Sequence, residues 1–300
     1  MFQAPPLVPG DAVGIAASSA AFDRRAFLRG LGVLERWRLK PKFRQDIFSR
    51  DRTMAGSHRR RLRELQDLID HPDIKAIVFA RGGFGLHHIL PELKLKNLKR
   101  YPKRIIGYSD LTLLLDRIRQ EVGLVSYYGP TLCSLGLPEE NGLRSAYRRL
   151  LFAKNLPSEW ALGKGTTVRA GRATGRLVGG CLTLLSMSLG TSFEVDTRNS
   201  LLLLEDTNEP PYRFERLLLH LKQSSKLRGV KGILLAAQEA QGQRSPRKVW
   251  QAMLKDVLSD FKGPVVFGFR FGHVKKPHLL PLGLKADLDT RSGRLRLHTS

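Results

Sequence analysis

Short apolar runs alternate with longer amphipathic segments through the first half of the chain. The short runs show no polar alternation, which is typical of strands covered on both faces of a parallel sheet. In the longer segments the apolar residues recur at helical spacing. The predicted strands are Val13–Ala17, Ala76–Ala80, Ile105–Ile106 and Leu124–Tyr128, and the predicted helices are Arg25–Arg36, His58–Asp70 and Leu111–Gln120. The pattern therefore predicts an α/β fold built on a parallel sheet.

A polar stretch separates this half from a differently patterned second half. Residues 156–171 are rich in Pro, Ser, Gly, Lys and Thr and are predicted to be a linker. After it, strands are predicted at Ser200–Leu204, Gly232–Ala236 and Val265–Phe269, helices at Leu182–Leu189 and Phe214–Gln223, and hairpins across Leu279–Leu297. We therefore expect one domain over residues 1–155 and a second over residues 172–300.

Charge is the least ordinary property of the composition. The 300 residues include 51 Lys and Arg against 27 Asp and Glu, a formal net charge of +24. Such a charge predicts attraction to polyanions such as nucleic acid, acidic cell-wall polymers or anionic lipid. The basic residues are spread along the chain, for example at 59–61 and 148–149, without a recognised nucleic-acid-binding signature. A solvated basic surface and a contact with an anionic polymer both stay open as interpretations.

Cysteine content, hydropathy and the N-terminal residues limit the class of protein further. The two cysteines provide neither a disulfide framework nor the spacing of metal ligands, so no metal site is predicted. No apolar run approaches the roughly 18–20 residues that a membrane helix requires. The N-terminal residues do not show a basic segment followed by an apolar one, so we expect no signal peptide and a cytoplasmic location.

Ser109 lies where a short β-branched run ends and a leucine-rich helical segment begins, within Gly107–Asp110. A serine at such a corner can project its Oγ out of the sheet, and the N–H groups of the helix that follows can stabilise an oxyanion. Ser109 is therefore a candidate nucleophile. The alternative is a tight turn in which Ser109 or Asp110 caps the helix, and the G-x-S-x-G elbow pattern is not matched.

Three further segments place glycine or polar residues after apolar strands. Arg81–Gly85 contains three glycines that could bring backbone N–H groups close to a ligand or form a plain turn, and it lacks the Lys-Ser/Thr of a phosphate loop. Glu205 and Asp206 end a leucine-rich strand, and His273 follows Val265–Phe269. Each segment alone is a weak signal. Together, a serine, a glutamate and a histidine at the carboxyl ends of strands form one workable catalytic triad.

These segments resemble those of the LD-carboxypeptidases of murein recycling and their microcin-immunity relatives, which are serine peptidases. The resemblance extends over nearly the whole chain, because the matching stretches occur in the order of the family. They are Pro9-Gly10-Asp11, Ala55-Gly56, Arg81–Gly85, Gly107–Asp110, Gly129-Pro130, Gly179-Gly180, Gly190-Thr191, Leu204–Asp206 with Glu209, Tyr212 and Arg216, and Gly272-His273. The chain departs from the family at Ala17, Tyr128 and Cys181, positions that lie near the substrate side in the family.

The resemblance implies a fold and a set of catalytic roles. The expected fold is a Rossmann-like N-terminal domain with a parallel sheet beside a smaller β-rich C-terminal domain. Ser109 is expected to be the nucleophile, His273 the general base and Glu205 the residue that orients the histidine. An enzyme of this kind would act without a cofactor, as a homodimer.

The resemblance also implies an oxyanion hole and a reaction. N–H groups at Gly82, Gly83 and Asp110 would form the oxyanion hole. The substrate would be a murein tetrapeptide, whose terminal D-alanine is released by cleavage of an L,D-amide bond. One alternative is a peptidase that detoxifies a peptidyl-nucleotide antibiotic, for which Trp160 or Trp250 would provide a platform for the base. Another is a polyanion-binding protein on this scaffold.

Overall fold

The alternating segments fold into two units, Met1–Leu156 and Pro157–Ser300. The computed structural model describes residues 1–138, 142–163, 167–236 and 246–298. The segment predicted to be a linker, residues 156–171, contains two short strands, Glu159–Ala161 and Thr167–Arg169, and its residues 164–166 lie outside the described ranges. Both strands pair within the second unit. Three residues are too few for an alternating pattern, so the sequence alone did not mark them as strands.

Five strands of the first unit lie side by side in one parallel sheet. They are β1 (Ala12–Ala16), β2 (Lys40–Lys42), β3 (Ile74–Phe79), β4 (Arg104–Gly107) and β5 (Ser126–Tyr128). Their order is β5-β4-β3-β1-β2. Because these strands are parallel, the loops that follow β1, β3 and β4 lie at one edge of the sheet.

Helices and turns connect these strands. They are α1 (Arg24–Arg36), α2 (His58–Asp70), α3 (Leu86–Ile89), α4 (Asn97–Arg100), α5 (Thr112–Arg117), α6 (Leu132–Leu135) and α7 (Leu143–Phe152), with 3₁₀ turns at Leu90–Glu92 and Ser109–Leu111 and a π turn at Ile118–Val122. α1 begins where the Asp23 carboxylate accepts a hydrogen bond from the Ala26 N–H (2.7 Å), and it buries Phe27 and Leu31. The helix predicted over Leu111–Gln120 is thus a succession of 3₁₀, α and π segments.

The second unit has its own sheet. Its strands are β6 (Glu159–Ala161), β7 (Thr167–Arg169), β8 (Arg172–Cys181), β9 (Ser200–Glu205), β10 (Gly232–Ala236), β11 (Val265–Phe269), β12 (Leu280–Leu282), β13 (Lys285–Asp289) and β14 (Arg294–Leu297). Eight of them form one sheet in the order β6-β14-β13-β8-β9-β10-β11-β7. The central strands β8, β9, β10 and β11 are parallel, and antiparallel pairs flank them on both sides.

Three helices accompany this second sheet: α8 (Leu182–Met187), α9 (Pro211–Gln223) and α10 (Arg247–Val257). Their apolar faces share a core with the central strands, in which Phe214, Leu218, Leu254 and Ile233 are buried. The predicted α/β class is therefore confirmed, and the second unit combines a parallel centre and helices with its hairpin strands. Within the described residues, no helix is both long enough and apolar enough to cross a membrane.

Candidate active site

Ser109 is held in a rare backbone conformation at the end of β4. Its φ is +61°, a left-handed value that residues other than glycine seldom adopt. Such a conformation costs on the order of 1–3 kcal/mol and persists only where the surroundings enforce it. A nucleophilic serine at a strand-to-helix elbow is strained in this way, so the backbone of Ser109 fits that role. Ser109 also begins a 3₁₀ turn, and the N–H groups at the start of such a turn have no acceptor within it.

Two buried hydroxyl groups contact the backbone of Ser109. The Ser109 N–H donates a hydrogen bond to the Tyr128 hydroxyl (3.2 Å), and the Thr112 hydroxyl donates to the Ser109 carbonyl oxygen (2.7 Å). In the sequence, Tyr128 stands out only as a departure from the family, and no motif marks Thr112. The parallel pairing of β4 with β5, which sets Gly107 against Tyr128, brings this tyrosine to the corner.

The glycine loop after β3 lies against the Ser109 side chain. A Cβ added at Gly82 would be 3.0 Å from the Ser109 Cβ and 3.2 Å from its Oγ, so the absence of a side chain permits this approach. Among the described residues, the N–H groups of Gly82 and Gly83 donate to no acceptor. Of these two predicted oxyanion residues, Gly82 is therefore the one that directly approaches the candidate nucleophile.

Asp110, the third predicted oxyanion residue, has a structural role through its side chain. It is 3% exposed, and its carboxylate accepts a hydrogen bond from the Leu86 N–H (2.9 Å). Burial raises the pKa of Asp110, and the hydrogen bond from the Leu86 backbone opposes that rise. The carboxylate thus links the nucleophile turn to the start of α3, next to the glycine loop.

Arg61 holds two loops at the same edge of the first sheet. It is 1% exposed, although the basic cluster at 59–61 suggests a solvated surface, so this part of the charge is not on the surface. Its guanidinium donates to the carbonyl oxygens of Gly56 (3.2 Å), Ser18 (2.9 Å) and Gly85. Ser18 follows β1 and Gly85 ends the glycine loop. Contacts with these loops distinguish Arg61 from Arg59, which is exposed on the same helix.

In the second unit, Glu205 and His273 form a hydrogen-bonded pair. Glu205 ends β9 and is fully buried, and His273 follows β11 with 20% of its side chain exposed. The Nδ1 atom of His273 lies 2.8 Å from Oε2 of Glu205, and the His273 backbone N–H donates to the same oxygen (3.2 Å). A carboxylate that accepts the Nδ1 proton leaves Nε2 as the atom that exchanges a proton with another group.

Gly272 allows this pair to form. Its φ is +71°, and a Cβ at this position would be 2.5 Å from the Glu205 Oε2, so any side chain would displace the carboxylate. Burial by itself lowers the pKa of His273, but the hydrogen bond and negative charge of Glu205, with the charge of Asp206, raise it above its ordinary value. The pair therefore favours the imidazolium that general-base catalysis creates.

Cys181 and Asp206 lie beside the pair but face the start of α8. The Asp206 carboxylate accepts hydrogen bonds from the N–H and the hydroxyl of Thr183, both at 2.8 Å, and the Cys181 Sγ is 3.7 Å from its other oxygen. Burial raises the pKa of both groups. Cys181, one of the departures from the family, is therefore a buried thiol within this polar cluster. The described residues contain no cluster of three or more His, Cys, Asp or Glu that could bind a metal ion.

Both halves of the chain match models of one protein family. A model of the LD-carboxypeptidase N-terminal domain matches residues 13–129, and a model of the LD-carboxypeptidase C-terminal domain matches residues 174–288. The probable murein peptide carboxypeptidase of Bacillus subtilis (strain 168) is 33% identical over 285 residues, which are 94% of this chain and 89% of that protein. The chain belongs to the LD-carboxypeptidase family. It is accordingly a hydrolase of the peptidase class, as the resemblance predicts.

Two further LD-carboxypeptidase relatives show the range of the family. The microcin C7 self-immunity protein MccF of Escherichia coli is 29% identical over 322 residues, covering 95% of this chain and 92% of that protein. The crystal structure of muramoyltetrapeptide carboxypeptidase from Oxalobacter formigenes aligns with a TM-score of 0.83 at 27% identity, covering 95% of this chain and 97% of that one. The predicted fold is thus shared with solved structures of this family.

Proposed function

We propose that this LD-carboxypeptidase is a serine enzyme that releases the terminal D-alanine of murein tetrapeptides. The bond cleaved is the amide between the L-centre of a diamino acid and the C-terminal D-amino acid. The names of the relatives from Bacillus subtilis and Oxalobacter formigenes support this class of substrate. Peptidoglycan recycling or remodelling is the process in which such an activity would operate.

In the proposed mechanism, the Ser109 Oγ attacks the amide carbonyl while His273 takes its proton. His273 then returns the proton to the leaving amine, and water repeats the sequence on the acyl-enzyme to release the shortened peptide. Glu205 holds the imidazole tautomer and stabilises the imidazolium. The observation that carries the proposal is the 2.8 Å contact between Glu205 and the Nδ1 of His273, made by a carboxylate that is fully buried.

The oxyanion in this mechanism is stabilised by backbone N–H groups at Gly82, Gly83 and Asp110. Supporting observations are the close approach of Gly82 to the Ser109 Oγ and the start of a 3₁₀ turn at Ser109. N–H groups held in place before the reaction stabilise developing charge without reorganisation.

Incubation with purified murein tri-, tetra- and pentapeptides, followed by mass spectrometry, tests the proposal. We expect the tetrapeptide to lose one alanine and the tripeptide to remain intact. Addition of the chelator EDTA to the same assay should leave the rate unchanged, since the proposed catalytic residues need no metal. An enzyme inactivated by EDTA and restored by zinc, or one inactive on the tetrapeptide, would contradict the proposal.

A peptidyl-nucleotide antibiotic is the alternative substrate, and the relative MccF is named for self-immunity to one microcin. The tryptophans considered as platforms for its base do not favour this alternative, because Trp160 is 7% exposed and Trp250 is 4% exposed. Trp250 instead packs between Phe214 and Phe267 in the core of the second unit. Cleavage of a peptidyl-nucleotide, with no action on tetrapeptides, would reverse this order of preference.

The net charge of +24 leads to a further part of the proposal, a contact with an anionic polymer such as murein. Binding to murein sacculi should weaken as salt rises, because bound counterions are released on association. Cleavage of a small soluble tetrapeptide should respond far less to salt. Sedimentation with sacculi at low and high salt tests this, and no binding at low salt would refute the contact.

The homodimer and the cytoplasmic location stay predictions, to be tested by light scattering and cell fractionation.

A further inference from the structure

Three groups form a closed ring of hydrogen bonds around the strained serine. The Ser109 N–H donates to the Tyr128 hydroxyl at 3.2 Å, and the Thr112 hydroxyl donates to the Ser109 carbonyl at 2.7 Å. A longer contact of 3.4 Å joins the two hydroxyl oxygens. Either hydroxyl can be the donor in this third contact. We call Tyr128 and Thr112 the clamp.

The clamp contacts the two backbone groups whose orientation changes if Ser109 leaves its left-handed conformation. A residue with φ of +61° relaxes by rotating its N–H and carbonyl, and such rotation breaks the hydrogen bonds to the clamp. Tyr128 and Thr112 are both fully buried, so water does not readily replace either hydroxyl. The contact from Thr112 is a local one that many helices make, whereas the contact from Tyr128 comes from the neighbouring strand β5.

We propose that Tyr128 is a positioning residue for the nucleophile, acting with Thr112 to hold Ser109 in its strained conformation. This inference rests on the proposed function, in which Ser109 attacks the substrate. Because the Ser109 N–H is bound by Tyr128, it does not serve as an oxyanion donor in this arrangement. Tyr128 therefore acts through the backbone of Ser109 and carries no proton in the reaction.

The chain provides a matched control for Tyr128 in the residue that precedes it. Tyr127 is also fully buried on β5, and its hydroxyl has no hydrogen-bond partner among the described residues. Tyr128→Phe and Tyr127→Phe each remove one buried hydroxyl from the same strand, but only the first removes a contact with Ser109. A difference between them in catalysis therefore reports on positioning and not on the loss of a phenol.

The test compares kcat, KM and the pH profile of the two variants on the tetrapeptide. We expect Tyr128→Phe to lower kcat about tenfold with KM changed less than about twofold, because a misplaced nucleophile slows chemistry more than binding. The pH at which the rate rises should not move, since that titration belongs to His273. Tyr127→Phe should keep the kcat of the wild type.

A second pair of variants covers the case in which Tyr128→Phe does not fold. Thr112→Val should lower kcat, whereas Thr112→Ser, which keeps the hydroxyl, should have the kcat of the wild type. Wild-type kcat in Tyr128→Phe, or in Thr112→Val if the first variant is unfolded, would overturn the inference even if the melting temperature falls. Ser109→Ala in the same assay distinguishes failure of the proposed function from failure of the positioning role. An active Ser109→Ala refutes the proposed function itself, whereas an inactive Ser109→Ala beside a fully active Tyr128→Phe refutes only the positioning role.

Discussion

The two units hold their candidate catalytic groups by different physical means. In the first unit, Ser109 is fixed through its backbone, with a φ of +61° and hydrogen bonds at both its N–H and its carbonyl. In the second unit, His273 is fixed through its side chain, by a carboxylate of Glu205 that is fully buried. A nucleophile must be aimed, whereas a base must be both aimed and electrostatically tuned. The proposed reaction therefore places different demands on the two units.

The largest expected effect comes from deleting either group of the comparison. Ser109→Ala and His273→Ala should each lower kcat by roughly 10⁴–10⁶-fold, and the double variant little more, because residues of a triad act as one unit. Steady-state kinetics on the tetrapeptide measures this.

Ser186→Ala is the matched control for this experiment. The Ser186 hydroxyl lies 2.6 Å from Nδ1 of His220, so this variant also breaks a Ser–His hydrogen bond, but one outside the proposed triad. It should keep wild-type activity. Full activity in Ser109→Ala, or additive losses in the double variant, would contradict the triad.

The next effect tests how Glu205 tunes His273. Glu205→Gln should lower kcat by roughly 10²–10⁴-fold, less than either deletion, because the amide no longer stabilises the imidazolium. The negative charge of Glu205 raises the pKa of His273, and only neutral His273 accepts a proton. Removal of that charge therefore lowers the pKa, and the rise of the rate should move to lower pH.

Profiles of kcat/KM against pH for the wild type and the variant measure this shift. Glu159→Gln is the control, since Glu159 pairs with Arg294 and Arg296 in the strand ladder of the second unit. It should leave the profile in place. A rise that moves to higher pH in Glu205→Gln would show that the carboxylate does not act on His273 as described.

Glycine substitutions test whether the close packing of Gly272 on Glu205 and of Gly82 on Ser109 matters for activity. Gly272→Ala places a Cβ 2.5 Å from the Glu205 Oε2 and should lower kcat about 100-fold by displacing the carboxylate. Gly82→Ala places a Cβ 3.0 Å from the Ser109 Cβ, a milder contact, and should cost less. Gly293→Ala is the control, because its φ of +65° resembles that of Gly272 while nothing lies within 4 Å of an added Cβ. If Gly293→Ala loses as much activity as Gly272→Ala, strain and not displacement explains the loss.

Substitution of Arg61, which contacts the loops beside the nucleophile, should have the smallest effect on activity, and its main effect should be on stability. Arg61→Met removes the guanidinium hydrogen bonds to the carbonyl oxygens of Ser18, Gly56 and Gly85 and should lower the free energy of unfolding by about 2 kcal/mol or more. Arg59→Met, at an exposed position of the same helix, should change it by less than about 0.5 kcal/mol. Chemical denaturation of both variants measures the difference, and equal stabilities would mean that Arg61 does not hold these loops.

Much of the fold could be predicted from hydrophobic pattern alone. The strands over Gly232–Ala236 and Val265–Phe269 and the helix over His58–Asp70 have the predicted bounds. These segments are buried on both faces or along one stripe, so burial and local propensity favour the same structure. The predicted helix from Leu111 is less regular, because it is divided into 3₁₀, α and π segments in turn.

The candidate residues themselves could be proposed from the sequence because reactive side chains occur in it where predicted strands end. Ser109, Glu205 and His273 each follow an apolar run, and the family motifs surround them. Their surroundings could not be found in this way. Tyr127 and Tyr128 are adjacent and equally buried, and only the pairing of β4 with β5 makes one a partner of Ser109.

The α/β class, the order of most elements and the side chains capable of the chemistry follow from local periodicity and residue type, which can be found in the sequence. Which buried polar groups contact one another depends on the packing of distant segments. Gly272 must be a glycine because of Glu205, which is 67 positions away, and buried Arg61 donates to the carbonyl groups of Ser18 and Gly85, which are 43 and 24 positions away. Such requirements arise from close packing and from the cost of unpaired buried polar atoms, which have no signature in the neighbouring sequence.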